Sequence, residues 1–251
     1  MANQFRYEEK FPTTQEGEFQ NHFIFPTTIT EVRKPVTQKE KDLWFDAYLK
    51  HSKESGVSHD FIGYEQVHND PALAEWFDTV LPNCLNLYLE TIGVNRMKID
   101  LFLTKAFFNV TDKASINIHN HAENHISWVY YPHVNIQRHR DIRFYDPRDA
   151  HPNEPYSKFF GEHVGGNWTY ANARTWQFPV KDGVLLIFPS NLNHDIVAQE
   201  GDDGPGLQSF KTKTDLKLSR FCVAGDVMIV RKPNVAEYSR TLPSFEHWRK
   251  A

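Results

Sequence analysis

Three histidines stand close together in the stretch INIHNHAENHISWVYYP, which covers residues 116–132. If SINIHNH forms a β-strand, the side chains of His119 and His121 point to the same face, because side chains alternate along a strand. Two imidazoles at positions i and i+2 can bind one metal ion from the same side. The spacing therefore predicts half of a metal site, and a third ligand must come from elsewhere in the chain.

His194 is the candidate for the third ligand. It follows the apolar run 184–188 and a turn, and it stands directly before another short strand-like run. Two neighbouring ligands and one distant ligand leave coordination positions open on the metal, as catalysis requires. Three solvated or structurally satisfied histidines are the alternative interpretation of this spacing. We interpret His125, in the same stretch, as a turn residue and not as a ligand.

Arg220 lies in the apolar run LSRFCVAG, and a charged residue inside an apolar strand is rare unless it is paired. Its guanidinium needs an anion, and the carboxylate of a ligand could bind it in a bidentate manner. Ser127 and Tyr131 share one face of their strand and would supply hydroxyl donors to the same anion. A salt bridge with an acidic loop such as Asp202–Asp203 is the structural alternative.

The elements that must position these residues change in character near residue 97. Before it, helical spacing predicts one helix from Thr37 as N-cap to Gly56 and a second over residues 69–93. Pro82 lies inside the second helix and should kink or split it. After residue 97, short strand-like runs separated by turn signals predict an antiparallel sandwich or barrel, and the fold class is therefore α+β.

The composition narrows the classes of function. The chain has 251 residues, of which 40% are hydrophobic, and a formal net charge of −4. We expect an N-terminal arm over residues 1–20 and a single domain over residues 21–251. There is no basic excess that would indicate nucleic acid as a partner, and no apolar run reaches the roughly 20 residues that span a bilayer. The two distant cysteines and the absence of an apolar leader segment predict a cytoplasmic protein.

The order of these motifs resembles a known family. HNHAENHISWVYY is followed by IRFYDPR, VKDGVLLIFPSNLNH and LSRFCVAG. This order is similar to that of a family of iron(II)- and 2-oxoglutarate-dependent oxygenases found among bacterial and phage proteins, and more distantly to prolyl hydroxylases. The resemblance extends over residues 22–231. It implies a double-stranded β-helix, which is a cupin-like jelly-roll, with N-terminal helices packed on one side.

The resemblance also implies an activity and assigns residues to it. The expected enzyme is an Fe(II)/2-oxoglutarate-dependent dioxygenase that hydroxylates a C–H bond of a small-molecule or peptide substrate, consumes O2 and releases succinate and CO2. By position, His119, His121 and His194 would be the catalytic metal ligands. The cosubstrate-binding residues implied by the resemblance are Arg220, Tyr131, Ser127 and Asn109.

One departure from the family pattern leaves alternatives open. Most such oxygenases use His-x-Asp/Glu and a distant histidine, whereas His121 stands at the second position here. A shift of register would instead let His121 and Glu123 supply a histidine and a carboxylate, which makes Glu123 a rival ligand. The alternatives in function are a cupin-like metalloenzyme with a three-histidine site that does not use 2-oxoglutarate, and a non-catalytic jelly-roll binding module.

Overall fold

The structure is a computed structural model. It describes residues 27–57, 60–61, 63–112, 115–136, 141–147, 175–196, 207, 209–233, 235 and 242–249. The predicted N-terminal arm, residues 1–20, lies outside these ranges.

The strands of the described residues form two antiparallel sheets. In chain order they are Thr30–Arg33 (β1), Asp60–Phe61 (β2), Ile99–Thr111 (β3), Ile116–His119 (β4), Ile126–Val134 (β5), Ile142–Tyr145 (β6), Thr175–Phe178 (β7), Val184–Pro189 (β8), His194–Ile196 (β9) and Arg220–Arg231 (β10). The larger sheet has the order β1-β8-β5-β10-β3-β2, and the smaller has the order β4-β9-β6-β7. Two such sheets with helices beside one of them form a jelly-roll, which confirms the predicted fold class.

The first predicted helix is present with both of its predicted ends. Helix α1 covers Gln38–Ser55, and the Thr37 side chain accepts a hydrogen bond from the backbone N–H of Glu40. The Glu40 carboxylate in turn accepts from the N–H of Thr37, which completes a capping box. Gly56 ends the helix in the left-handed conformation, with φ of 73°. The ends of α1 are therefore determined by local sequence.

The second predicted helix is divided, as Pro82 predicted. Asp70 caps a short 3-10 turn over Pro71–Leu73, and a π-helical turn follows over Trp76–Val80. Helix α2 then covers Leu81–Thr91 with Pro82 in its first turn, where a missing N–H costs nothing. A further short helix, α3, covers Lys213–Leu216. No helix in the described ranges is long and apolar enough to cross a membrane.

Alternate residues of β5 separate two apolar cores. Trp128 and Tyr130 face the helices, and their ring centroids lie 5.3 Å and 5.0 Å from that of Trp76. Val129 and Tyr131 face the other way, into the core between the two sheets. The helices therefore cover the outer face of the larger sheet, and the inner face is left for the residues that could bind a ligand.

Gly183, in the turn before β8, holds three strands together. Its N–H donates to the carbonyl of Tyr131 (2.7 Å), and its own carbonyl accepts from the N–H of Lys34 (3.0 Å). Its φ is 82°, and a Cβ at this position would overlap the carbonyl oxygen of Lys34. Only glycine meets both the conformational and the steric requirement here.

Candidate active site

The three predicted ligands converge at one end of the space between the sheets. His119 ends β4 and is the direct cross-strand partner of His194, which begins β9. One ligand atom from each of His119, His121 and His194 lies within 4.8 Å of the other two. The ring centroid of His119 lies 4.3 Å from that of His194 and 5.3 Å from that of His121. Small side-chain adjustments would bring three nitrogens to the bonding distance of about 2.1 Å from one metal ion.

Glu123, the rival ligand, is not among the described side chains that form this cluster. It is exposed in the turn that follows His121. The structure thus brings together His119, His121 and His194, in the register that the sequence motif suggested first.

His121 reaches the cluster by a route that differs from the predicted one. The strand expected over SINIHNH ends at His119, and the β4–β9 pairing is irregular between Ile116 and His119. Two hydrogen bonds hold His121 in place instead. Its backbone N–H donates to the carbonyl of Ser190 (2.7 Å), and its side-chain Nδ1 contacts Asp226 Oδ2 (2.8 Å). Alternation along a continuous strand is therefore not what brings the two imidazoles together.

All three imidazoles use Nδ1 in a hydrogen bond with an oxygen acceptor. The acceptors are the Asn117 carbonyl for His119 (2.7 Å), the Leu192 carbonyl for His194 (3.0 Å) and Asp226 Oδ2 for His121 (2.8 Å). An acceptor at Nδ1 selects the tautomer that carries its proton there, which leaves the lone pair on Nε2. The hydrogen-bond network therefore prepares one metal-binding nitrogen on each ring.

His194 lies in an apolar environment. The aromatic rings of Phe144 and Phe188 lie 5.8 Å and 5.1 Å from its ring, and its exposed fraction is 7%. Burial lowers the pKa of His194 to about 4, because the charged imidazolium loses its hydration there. His194 is therefore neutral at pH 7, as a metal ligand must be.

Asp226 contacts the triad although the sequence reasoning did not select it. It is completely buried in β10, and three groups surround its carboxylate. The donors are His121 Nδ1 (2.8 Å), Ser127 Oγ (2.5 Å) and Lys105 Nζ (3.2 Å). Burial raises the pKa of Asp226, but the hydrogen bond from His121 and the other donors outweigh it, and the net shift is downward. The signal that singled out Arg220, a charge inside an apolar strand, also applies to Asp226.

Three of the predicted cosubstrate residues share the inner face of the larger sheet. Asn109 is the cross-strand partner of Cys222, which faces the inner core two residues after Arg220. Arg220 is 2% exposed, and its guanidinium carbon lies 6.0 Å from the ring centroid of Tyr131. The structure therefore brings together three residues that the sequence selected one by one from separate strands.

This cluster contains buried polar atoms without a hydrogen-bond partner in the described part of the chain. They are Arg220 Nε and Nη1, Tyr131 Oη and Asn109 Oδ1. Each unpaired buried group of this kind costs about 1–3 kcal/mol, and a charged one costs more. Burial raises the pKa of Tyr131, so its hydroxyl stays protonated and able to donate. Two donors, one of them cationic, fit the carboxylate of a ligand such as 2-oxoglutarate. The alternative partners Asp202 and Asp203 lie outside the described residues.

Ser127 lies elsewhere on the same face. It stands four positions before Tyr131, which is about 13 Å along a strand. Its hydroxyl donates to Asp226 Oδ1 at 2.5 Å. The structure thus places Ser127 beside the histidine triad, at a distance from Arg220, and its contact with the cosubstrate stays a prediction.

His125 has a structural role, in agreement with its interpretation as a turn residue. Its Nδ1 accepts a hydrogen bond from the backbone N–H of Ile229 (3.1 Å), and its own N–H donates to the carbonyl of Val227 (3.1 Å). These hydrogen bonds connect the turn between β4 and β5, which carries His121, to strand β10.

Comparison with known proteins supports the same interpretation of this site. The model of a family described as "Putative 2OG-Fe(II) oxygenase" matches residues 107–205, where 2OG stands for 2-oxoglutarate. These residues include Asn109 and all three histidines of the cluster, whereas Arg220 lies beyond them. Among curated proteins, no sequence matches the chain.

Several solved structures match this chain at low sequence identity, and one of those named here has a TM-score above 0.5. The non-heme alpha-ketoglutarate-dependent carbocyclase SnoK from nogalamycin biosynthesis is 12% identical, with a TM-score of 0.51 over 86% of this chain and 88% of that one. A Pseudomonas putida prolyl-4-hydroxylase is 11% identical, with a TM-score of 0.43 over 80% of this chain and 92% of that one. The epimerase SnoN in complex with Fe3+ and alpha-ketoglutarate is 11% identical, with a TM-score of 0.48 over 86% of this chain and 90% of that one. The family match agrees with the resemblance drawn from the sequence: the segment that carries the histidine cluster, within residues 107–205, is similar to a family described as "Putative 2OG-Fe(II) oxygenase".

Proposed function

We propose that the protein is an Fe(II)- and 2-oxoglutarate-dependent dioxygenase that hydroxylates a C–H bond of a small-molecule or peptide substrate, with consumption of O2 and release of succinate and CO2. The observation that carries the proposal is that the histidine cluster and the unpaired Arg220 lie in the same jelly-roll, next to its inner face. The first suits a metal, and the second suits an anionic cosubstrate.

His119, His121 and His194 would hold the iron through their Nε2 atoms. The hydrogen bonds at their Nδ1 atoms keep the rings oriented before a metal arrives, which lowers the cost of binding. Three ligands leave coordination positions for a cosubstrate. When they are bound, iron and 2-oxoglutarate supply the oxidising chemistry, and the chain supplies binding, orientation and protection from solvent.

Arg220 would bind the carboxylate of 2-oxoglutarate that is distant from the metal, with Tyr131 as a second donor. Such a carboxylate would satisfy the unpaired guanidinium nitrogens of Arg220 and the unpaired hydroxyl of Tyr131. Asn109, on the neighbouring strand, would face the cosubstrate with its side-chain amide. Ser127 would contribute at the metal end, where its hydroxyl contacts Asp226.

The wall between these two groups is apolar. Val129, Leu186, Phe188 and Cys222 are all buried in the core between the sheets. Such a wall keeps water away from the reacting groups and strengthens the electrostatic contacts of Arg220. The fold thus suits a reaction whose oxidant must be shielded from solvent.

A cupin-like metalloenzyme that does not use 2-oxoglutarate is the second candidate. The observation that favours it is the ligand set of three neutral imidazoles, with Glu123 outside the cluster. Arg220 argues against it, because a buried guanidinium has no evident purpose in such an enzyme. A jelly-roll binding module without metal is a third candidate, and metal content distinguishes it.

Other parts of the proposal rest on composition. We propose a single domain over residues 21–251 with an arm over residues 1–20, and a cytoplasmic location without a nucleic-acid partner. The two cysteines, Cys84 and Cys222, are free and buried, which suits a reducing compartment. The net charge of −4 does not favour contact with a phosphate backbone.

The test is anaerobic reconstitution of the full chain with Fe(II). We expect binding of one iron per chain, binding of 2-oxoglutarate to the iron-loaded protein, and slow formation of succinate when O2 is admitted without substrate. His194→Ala serves as the control without metal. A wild-type chain that binds iron but not 2-oxoglutarate would establish the second candidate, and a chain that binds neither would contradict both.

A further inference from the structure

The proposed metal ligands carry no negative charge, because all three are imidazoles. A divalent cation held by them would keep its full charge in a partly buried site. Asp226 is the buried carboxylate that touches this ligand set, with Oδ2 at 2.8 Å from His121 Nδ1. We propose that Asp226 is a positioning residue of the metal centre, which orients His121 and supplies, through its imidazole, the negative charge that the ligands lack. This inference rests on the proposed metal site.

The position of Asp226 is tightly determined. Ser127 holds Oδ1 at 2.5 Å and Lys105 approaches Oδ2 at 3.2 Å, so that both oxygens are engaged besides the contact with His121. The backbone carbonyl of Asp226 also accepts a hydrogen bond from Thr104 Oγ1 (3.2 Å). At the preceding residue, Gly225, a Cβ would lie 2.5 Å from the Lys105 carbonyl oxygen, so the two strands lie too close there for any side chain. A carboxylate held this firmly fixes the ring plane of its histidine partner.

The contact has a chemical consequence for His121. A carboxylate that accepts from Nδ1 increases the electron density on the imidazole and makes Nε2 a stronger donor to a metal. His119 and His194 donate their Nδ1 protons to neutral backbone carbonyls, so neither receives this effect. Of the three rings, His121 alone is therefore paired with an anion. Lys105 competes for the same carboxylate and reduces the charge available to His121.

The primary test compares Asp226→Asn with a matched control, Asp195→Asn. Asp195 is also a buried carboxylate beside a proposed ligand, but its partners are Arg143 and Tyr145 on β6. Calorimetric titration of the metal-free full chain with Mn(II) measures the affinity. We expect Asp226→Asn to weaken Mn(II) binding about 10- to 100-fold and Asp195→Asn to change it less than about threefold. A folded Asp226→Asn protein with wild-type affinity overturns the inference.

A spectroscopic measurement separates this role from a purely structural one. In Zn(II)-loaded protein, the ring ¹⁵N shifts report the state of each histidine. Asp226→Asn should move the resonances of His121 and leave those of His119 and His194 in place. Equal changes on all three rings would show a general disturbance of the site and would overturn the inference.

A second variant decides the matter if Asp226→Asn does not fold. Lys105 has a side chain that is 27% exposed, and Lys105→Met removes the cation that competes for Asp226. We expect Mn(II) binding to become several-fold tighter, and unchanged or weaker binding overturns the inference. Failure of the wild-type chain to bind any metal would overturn the proposed function as well, whereas wild-type binding with no response to these changes would overturn this inference alone.

Discussion

His119 and His194 are direct partners across the β4–β9 ladder, and their ring centroids lie 4.3 Å apart. They are 75 residues apart in the sequence, so their contact exists only when the two strands pair. The candidate metal site is therefore coupled to the register of the smaller sheet. A metal bound at this pair would in turn stabilise the folded state by mass action.

Replacement of each histidine of the cluster tests the ligand assignment. We expect His119→Ala, His121→Ala and His194→Ala each to weaken Mn(II) or Fe(II) binding by at least about 100-fold, because each removes one of three direct ligands. Glu123→Ala is the matched control, since Glu123 is exposed and outside the cluster. A loss of affinity in Glu123→Ala with retention in His119→Ala would establish the rival register.

Arg220→Met should separate stability from cosubstrate binding. Arg220 is 2% exposed with two unpaired guanidinium nitrogens, so an apolar side chain of similar length removes a desolvation cost. We expect the free energy of unfolding of the metal-free chain to stay equal or rise by about 1 kcal/mol, which is about 2–4 °C in Tm. Binding of 2-oxoglutarate to the Mn(II)-loaded protein should fall at least about 100-fold.

Arg33→Met is the control for this experiment, because the Arg33 side chain is 70% exposed and its ion pair with Glu31 lies on the surface. Urea unfolding and calorimetry measure the two quantities. A loss of several kcal/mol of stability in Arg220→Met would mean that Arg220 has a structural partner instead of a ligand.

Gly183→Ala should destabilise the fold much more than a comparable change at Gly56. Both glycines have positive φ, but a Cβ at Gly183 would overlap the Lys34 carbonyl, whereas a Cβ at Gly56 meets nothing within 4 Å. We expect a loss of about 3 kcal/mol or more for Gly183→Ala and about 1 kcal/mol for Gly56→Ala. Urea unfolding of both variants measures the difference, and equal losses would contradict the tight contact between β1 and this turn.

Asp182 should make the stability depend on acid pH. Burial raises the pKa of Asp182, but His133, Lys41 and the N–H of Val134 outweigh it and lower the pKa to about 2. The N–H of Val134 donates to Oδ1 at 2.7 Å, and His133 Nδ1 lies 3.5 Å from the same oxygen. Since the folded pKa is below the unfolded value, this stabilisation is present above about pH 4 and is lost as the pH falls towards 2.

Asp182→Asn, which keeps the shape but has no charge, should remove this dependence. We expect wild type to exceed the variant by about 1 kcal/mol in free energy of unfolding at pH 6, after allowance for the partial exposure of Asp182. The difference should shrink towards zero near pH 2. A difference that stays constant from pH 6 to pH 2 would contradict the role of the charge.

Much of the fold could be predicted because its signals are local. Thr37 and Gly56 mark the ends of α1 through capping interactions within a few residues, and Pro82 marks the division before α2 through its missing N–H. The extent of β4 could not be predicted in this way. The strand stops at His119 because its partner, His194, is the first residue of β9, and β9 lies more than 70 residues away in the sequence.

For the site, the sequence by itself determined which residue types could act. The sequence alone shows the spacing of His119 and His121, the distant His194, and the charge of Arg220 inside an apolar strand. Only the tertiary structure decided how these residues are arranged. Glu123 lies outside the histidine cluster, the Ser127 hydroxyl donates to Asp226, and Asp226 accepts a hydrogen bond from His121. The reason is physical, because hydrogen bonds between residues about 100 positions apart depend on the pairing of whole strands, which no short motif encodes.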